Sequence, residues 1–208
     1  MRQDVILGDC LEVMTKIPDK SIDMVLCDLP FGSTANKWDI IIPFDKLWNE
    51  YLRIIKDGCG ILLFGTGLFS YKLALSNEKW FKYDLIWKKS KCGSPLNAKH
   101  KPMAKHEHIL VFGNGKIKYN PQMLEGEPYK RTNVNIKTNN HKYGIKQVTT
   151  DNKGTRYPSS ILDFPQKWRR QDQIHPTQKP VELCEWLIKS YTNENDLVMS
   201  HFADRDFF

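Results

Sequence analysis

The chain alternates short apolar runs with segments whose apolar residues recur at helical spacing. "VIL" (5–7) reads as a short strand halted at Gly8-Asp9-Cys10, and "LEVMTKI" as the helix after it. "IDMVLCD" (22–28) is a second strand that ends at Asp28-Leu29-Pro30-Phe31. "PFDKLWNEYLRIIKDG" carries Phe44, Leu47, Trp48, Tyr51, Leu52 and Ile55 on one helical face, and the spacing predicts a helix that stops at Gly58. "GILLFG" (60–65) is apolar throughout, as a parallel strand covered on both faces should be. "LFSYKLALSN" suits a helix. "FKYDLIWKK" and "HEHILVFGN" alternate more and predict strands nearer an edge. "KPVELCEWLIKSY" is a helix with proline in its first turn, and "DLVMS" is a last strand.

This alternation implies an α/β fold with a mostly parallel, doubly wound sheet, whose ligands bind outside the carboxyl ends of the strands. Both Gly8-Asp9 and Asp28–Phe31 fall at such ends. Between about Lys116 and Gln173 the regularity fades into Asn, Lys, Thr, Gly and Tyr. A stretch that long is not a simple loop. The chain therefore divides into a core part (1–115), an inserted functional lobe (116–173) and a returning helix and strand (174–208).

Charge sharpens the picture of the insertion. Of 31 basic and 24 acidic residues, 1–81 hold 9 and 11, 82–170 hold 19 and 6, and 171–208 hold 3 and 7. The whole basic excess lies in the middle, interleaved with Trp87, Tyr119, Tyr129, Tyr143, Tyr157 and Trp168. Cations that neutralise phosphates beside rings that stack on bases predict a nucleic-acid face. Its candidate contacts are Lys88, Lys89, Lys130, Arg131, Lys142, Arg156, Arg169 and Arg170. Five scattered cysteines without a CxxC spacing argue against disulfides or zinc and for a reducing cytoplasm. No apolar run approaches the roughly 18 residues of a bilayer span, and the amino terminus has no signal-peptide pattern.

By itself, Asp28-Leu29-Pro30-Phe31 is open to two readings. It is a turn that ends a strand, or it is a site for a flat amine. In the second, the Asp28 carboxylate and the Leu29 carbonyl accept the two N–H bonds of an exocyclic amine while Phe31 stacks on its ring. Other constellations are weaker. His106-Glu107-His108 puts two imidazoles on one side of a strand without a third ligand at metal spacing, which favours a structural use. Gly65-Thr66-Gly67 lacks the lysine of a P-loop and reads as a strand-to-helix turn. His175 precedes a proline and orients a loop, and Trp186 belongs to a helix core.

"GDCLEVMTKIPDKSIDMVLCDLPFGSTANKWD" resembles the amino-terminal region of the amino-DNA methyltransferases of the β arrangement, especially phage and prophage adenine-N6 methylases. The resemblance continues through "PFDKLWNEYLRIIKDGCGILLFG", "LNAKHKPMAKHEHILVF", "YNPQM" and "HPTQKPVELCEWLI", in the family's order along most of 5–198. It implies a Rossmann-like, S-adenosylmethionine-dependent fold and a restriction-modification setting with double-stranded DNA as partner. Asp28, Leu29, Pro30 and Phe31 would hold a flipped adenine. Asp9, Cys10, Asp28, Thr177, Gln178, Lys179 and Phe202 would border the cofactor, and the insertion would recognise the target. Asp at position 28, where cytosine-N4 enzymes usually carry Ser, points to adenine N6. The alternatives are a cytosine-N4 methyltransferase and a non-catalytic DNA-binding remnant.

The family's glycine-rich cofactor turn reads "ADRDFF" here, with Asp204 and Asp206 in place of glycines. That departure predicts weak affinity for S-adenosylmethionine. It is compatible with a truncated methylase, with a cofactor site completed by a second polypeptide or a homodimer, or with DNA binding alone.

Overall fold

The computed structural model describes residues 4–33, 39–93, 95–132, 149–165 and 178–201. Two compact units are distinguished, Met1–Asn120 with Ser160–Phe208, and Pro121–Ser159. No helix among the described residues is long and apolar enough to cross a membrane.

The first unit is built on a six-stranded sheet. In chain order its elements are α1 (Cys10–Met14), β1 (Ile22–Asp28), α2 (Phe44–Ile54), β2 (Ile55–Gly65), α3 (Gly67–Ser76), β3 (Phe81–Gly93) and β4 (Ala104–Gly113). The second unit holds β5 (Leu124–Glu125), β6 (Tyr129–Thr132), β7 (Thr149–Asn152) and β8 (Thr155–Arg156). The chain then returns to the first with β9 (Ile161–Asp163), α4 (Val181–Tyr191) and β10 (Val198–Met199). The strand order is β10-β1-β2-β4-β3-β9. Strand β1 is parallel to β10 and to β2, and β3 is parallel to β9, whereas β4 runs antiparallel to both of its neighbours.

Period-two alternation sorts the sheet residues into two cores. Val25, Cys27, Ile61, Leu63, Leu110 and Phe112 face one side, where Met14 of α1, Leu47, Trp48, Tyr51 and Ile54 of α2, and Phe69 and Leu73 of α3 cover them. Met24, Leu26, Leu62, Phe64, Ile109 and Val111 face the other, covered by Leu183, Leu187 and Tyr191 of α4. Each large apolar side chain fully buried here is worth roughly 1.5–3 kcal/mol. The central strands thus need apolar residues on both faces, which is why "GILLFG" has no polar position.

Several boundaries differ from the sequence expectation. Helix α2 ends at Ile54, not at Gly58, because Ile55 is captured as a strand residue opposite Ile22 of β1. Gly58 instead takes a positive φ of 72° inside β2. "HEHILVFGN" is an interior strand, since β3 and β9 cover its outer side. Residues 5–7 form no strand; Val5, Ile6 and Leu7 are exposed, and no described strand pairs with them. Ile161–Asp163, placed by the sequence in the insertion, pairs with Ile86–Lys88 and belongs to the sheet.

Strand β10 is short, and a side chain helps to fasten it. The buried Asp23 carboxylate accepts from the Leu197 backbone N–H at 3.0 Å and from Lys56 Nζ at 2.7 Å. The Asp23 N–H in turn donates to the Leu197 carbonyl at 2.9 Å. Asp23→Ala should therefore cost roughly 1–3 kcal/mol in urea denaturation. Hydrogen exchange should accelerate first at Leu197 and the β10 amides, and uniform acceleration across the sheet would contradict this account.

Candidate active site

The carboxyl ends of β10, β1 and β2 lie together because the three strands are parallel. The chain leaves β1 through α2 toward β2 on one side, and reaches β10 from α4 on the other. The β10–β1 boundary is therefore where the winding reverses, the place at which open α/β sheets hold ligands. Asp28 is the last residue of β1, opposite Phe64 of β2. Leu29 and Pro30 are buried and Phe31 is half-buried. The Phe31 ring is tilted 45° to Phe69 with centroids 5.1 Å apart, and Phe69 meets Phe44 at 5.9 Å.

Beyond Phe31 the turn is held by Asp39, to which the sequence reading assigns no role. Asp39, buried, accepts from the backbone N–H groups of Gly32 at 2.7 Å and Ser33 at 2.8 Å, one on each carboxylate oxygen. Gly32 has φ +63°, and a Cβ there would lie 2.9 Å from Ile41 Cγ1. Both the dihedral and the space require glycine. The "KWD" stretch thus acts through its aspartate as a clamp on the loop that presents Phe31.

The electrostatics converge on Asp28. Its Oδ2 accepts from Lys179 Nζ at 2.5 Å, and its Oδ1 is buried with no hydrogen-bond partner among the described residues. Lys179 Nζ is also 3.5 Å from Glu107 Oε2, an ion-pair distance without hydrogen-bond geometry. Glu107 of β4 pairs in addition with Lys89 of β3. Both ammonium groups sit near aromatic rings, Lys179 at 5.1 Å from the Phe64 centroid and Lys89 at 5.4 Å from that of Trp87. Burial pushes the Asp28 carboxyl above its ordinary range, with Lys179 as the strongest opposing influence. The Lys179 ammonium is held up by Asp28 and Glu107 against its own desolvation.

A second cluster closes the same end. Tyr51 Oη and His201 Nε2 are 2.6 Å apart, and the His201 N–H donates to Cys27 Sγ at 3.4 Å. Burial raises the Cys27 thiol to about 11 and the Tyr51 hydroxyl well above its usual range, with Cys27 and then Cys10 adding to the Tyr51 shift. Cys10, the first residue of α1, is half-buried against the same core cluster as Cys27 and Tyr51. Asp9 caps α1, its Oδ1 accepting from Leu11 N at 2.8 Å and Glu12 N at 3.3 Å. Gln178 is half-buried beside Lys179 in sequence. Thr177, Phe202, Asp204, Asp206 and His175 lie outside the described residues.

The basic candidates separate into two kinds. Lys88 pairs with Asp163 at 2.6 Å and Lys89 with Glu107, so both are engaged within the sheet unit. In the second unit Lys130 and Arg131 lie exposed on β6, opposite Asp151 and Thr150 of β7. The Arg156 guanidinium lies 4.6 Å from the Tyr129 ring centroid and donates to Asn152 Oδ1 at 2.6 Å. Lys142, Arg169 and Arg170 are outside the described residues. The His106 and His108 rings are 5.4 Å apart, with His108 Nδ1 2.9 Å from Asp84 Oδ2. No cluster of three metal-ligating side chains occurs among the described residues. Gly65–Gly67 is a strand-to-helix turn, with Gly67 at φ +51°.

Glu107, Lys89 and Asp39 are the members of this site that sequence reasoning missed or assigned elsewhere. The sequence signal for Glu107 was a carboxylate between two histidines in the polar first half of β4.

Residues 22–203 match the family described as DNA methylase. The chain is 26% identical over 216 residues to the DNA adenine methyltransferase YhdJ of Escherichia coli (strain K12), covering 96% of this chain and 70% of that protein. It is 25% identical over 228 residues to the type II methyltransferase M.HinfI of Haemophilus influenzae, covering 95% of this chain and 58% of that one. Among solved structures, the cytosine-N4-specific PvuII DNA methyltransferase shares the fold with a TM-score of 0.60 at 15% identity, over 93% of this chain and 72% of its own. The M1.HpyAVI–SAM complex does so at 0.54 and 16%, over 94% and 78%. With the match spanning most of its length, the chain belongs to the DNA methylase family.

Proposed function

We propose that this protein transfers a methyl group from S-adenosylmethionine to N6 of an adenine flipped out of double-stranded DNA. The observation that carries this reading is Asp28 Oδ1, a buried acceptor with no partner among the described residues, at the carboxyl end of β1. A buried carboxylate oxygen without a bond costs free energy unless a ligand supplies the donor. An exocyclic amine supplies it. The adjoining Leu29 carbonyl is the second acceptor, and the ring of Phe31, backed by Phe69, is the stacking surface. The adenine methyltransferase named among the relatives supports N6 as the target.

The amine lone pair of adenine is delocalised into the ring and is a poor nucleophile. Two hydrogen bonds to Asp28 Oδ1 and the Leu29 carbonyl draw the nitrogen toward tetrahedral geometry and free the lone pair for in-line attack. S-adenosylmethionine, when bound, supplies a methyl group already activated on a sulfonium. The residues that fit it are those at the winding reversal: Asp9, whose second carboxylate oxygen makes neither capping bond, with Cys10 and Gln178. Thr177 and Phe202 are proposed beside them on the resemblance alone. The Lys179 ammonium is committed to Asp28, which supports a role on the target side for it. Burial that raises the Asp28 carboxyl also suits it to receive the proton the amine gives up. DNA recognition is assigned to the second unit, with Lys130, Arg131 and Arg156 among its phosphate contacts.

Asp28→Ala should lower methyl transfer roughly 10²–10⁴-fold while DNA affinity changes little. Tritiated methyl transfer to plasmid DNA and nucleoside separation read both the rate and the product. N6-methyldeoxyadenosine is expected; N4-methyldeoxycytidine, or an unchanged rate in the variant, would refute the assignment. Arg156→Ala and Lys130→Ala should each weaken DNA binding at all sequences and reduce the salt slope of the affinity by about one. Filter binding between low and moderate salt measures that slope, and an unchanged slope would exclude these side chains as phosphate contacts.

A further inference from the structure

Asp28 shares its cation with a second buried carboxylate. Glu107 is 7% exposed, and among the described residues its Oε2 has no hydrogen bond although Lys179 Nζ stands 3.5 Å away. Its other oxygen, Oε1, is held by Lys89. Two acids therefore flank one ammonium, which sits on Asp28 and only approaches Glu107. The Lys179 backbone is anchored on its carboxyl side. It immediately precedes Pro180, the N-cap of α4, and Leu183 and Leu187 anchor that helix in the core. The long side chain can pivot while its base stays fixed.

We propose that Lys179 is a movable counter-charge, resting on Asp28 Oδ2 while Asp28 is ionised and shifting to Glu107 Oε2 when Asp28 takes the proton of the methylated amine. The inference rests on the methyltransferase reading above. During transfer the N–CH3 bond forms and the S–CH3 bond breaks, with its electron pair remaining on sulfur. The amine nitrogen then loses one proton to Asp28 Oδ1. Asp28 becomes neutral, and the largely buried ammonium loses its partner. The displacement needed is the difference between contacts of 2.5 and 3.5 Å. When Asp28 releases its proton to solvent, the ammonium returns. Lys179 and Glu107 are positioning residues in this scheme, since neither touches the reacting atoms.

The other titratable groups around the pair do not compete for the role. Lys89 on β3 is the cation of Glu107. Cys27 of β1 and Cys184 of α4 are both raised by burial and stay protonated at neutral pH. The signs of the expected changes follow from charge alone. Removing a cation beside a carboxylate raises its pKa, and removing a neighbouring anion lowers it.

The test is the pH profile of single-turnover methyl transfer for Glu107→Gln, Lys179→Met and Lys179→Arg, at saturating DNA and cofactor. Alongside it, ¹³C NMR follows the Asp28 carboxyl in aspartate-labelled full-length protein, assigned with Asp28→Asn. Lys179→Met should move the acid limb and the Asp28 midpoint up, and Glu107→Gln should move both down, each by on the order of one pH unit. Glu107→Gln should also lower kcat about tenfold with KM for DNA unchanged, and Lys179→Arg should restore most of the parent profile. Midpoints that coincide with the parent, or that move in one direction in both variants, overturn the proposal, as does a Glu107→Gln effect confined to KM. If Lys179→Met does not fold, Glu107→Gln decides alone by the same criteria. A parent chain that yields no methylated nucleoside refutes the functional reading instead, and the NMR midpoints then still decide whether Lys179 and Glu107 set the charge of Asp28.

Discussion

The ion pair between Asp28 and Lys179 is the contact around which the site is organised. A strand buried on both faces must end in something other than an apolar residue if it is to present chemistry, and a carboxylate at that end is costly to desolvate. Lys179 offsets that cost from a position 151 residues away in sequence. It brings its own desolvation cost, which Glu107 on β4 and then Lys89 on β3 help to offset. The charge on β1 thus dictates polar residues on two further strands and fixes where α4 must begin. Among the described residues one oxygen of Asp28 is left over, a buried acceptor open to a donor from outside them.

This dependence explains which parts of the molecule could be read from the sequence. "GILLFG" and "IDMVLCD" were legible as central strands because two-sided burial leaves a continuous apolar run. Asp28 was legible as the residue that ends a strand. The partner of Asp28 was not, because a lysine before a helix looks like any other solvated lysine. Lys89 was counted with the DNA contacts for the same reason: composition registers a charge but not the carboxylate across the strand. The alternation of "HEHILVFGN" predicts a strand nearer an edge. Its polar residues belong to the site and to the Asp84 contact, while Ile109–Gly113 are buried in the middle of the sheet.

The errors at element ends have one physical origin. Helical periodicity continued past Ile54 because the apolar residue at 55 fits either a helix face or a strand. Pairing with Ile22 decided in favour of the strand, a tertiary contact that local spacing does not report. Residues 5–7 are the converse case. Their apolar content satisfied a strand pattern, but a strand exists only where a neighbour accepts its backbone bonds, and none of the described strands does so. The apolar triplet therefore stays exposed, while the Asp9 cap that follows it forms as a local interaction.

The aromatic side of the site follows the same logic of fixed support around one open group. The commoner residue of the family at position 31 is tyrosine, and here the hydroxyl is absent. The ring needs only two things to serve as a stacking surface: a backing that sets its tilt, and a backbone that does not drift. Phe69 and, behind it, Phe44 supply the first. The second comes from Asp39, whose two carboxylate oxygens hold Gly32 and Ser33 directly after Phe31. Both supports act on the ring's position and neither uses a phenolic oxygen. Base stacking depends on the π face and is worth about 1–3 kcal/mol whichever ring provides it. The absent hydroxyl therefore removes nothing that positions the ring.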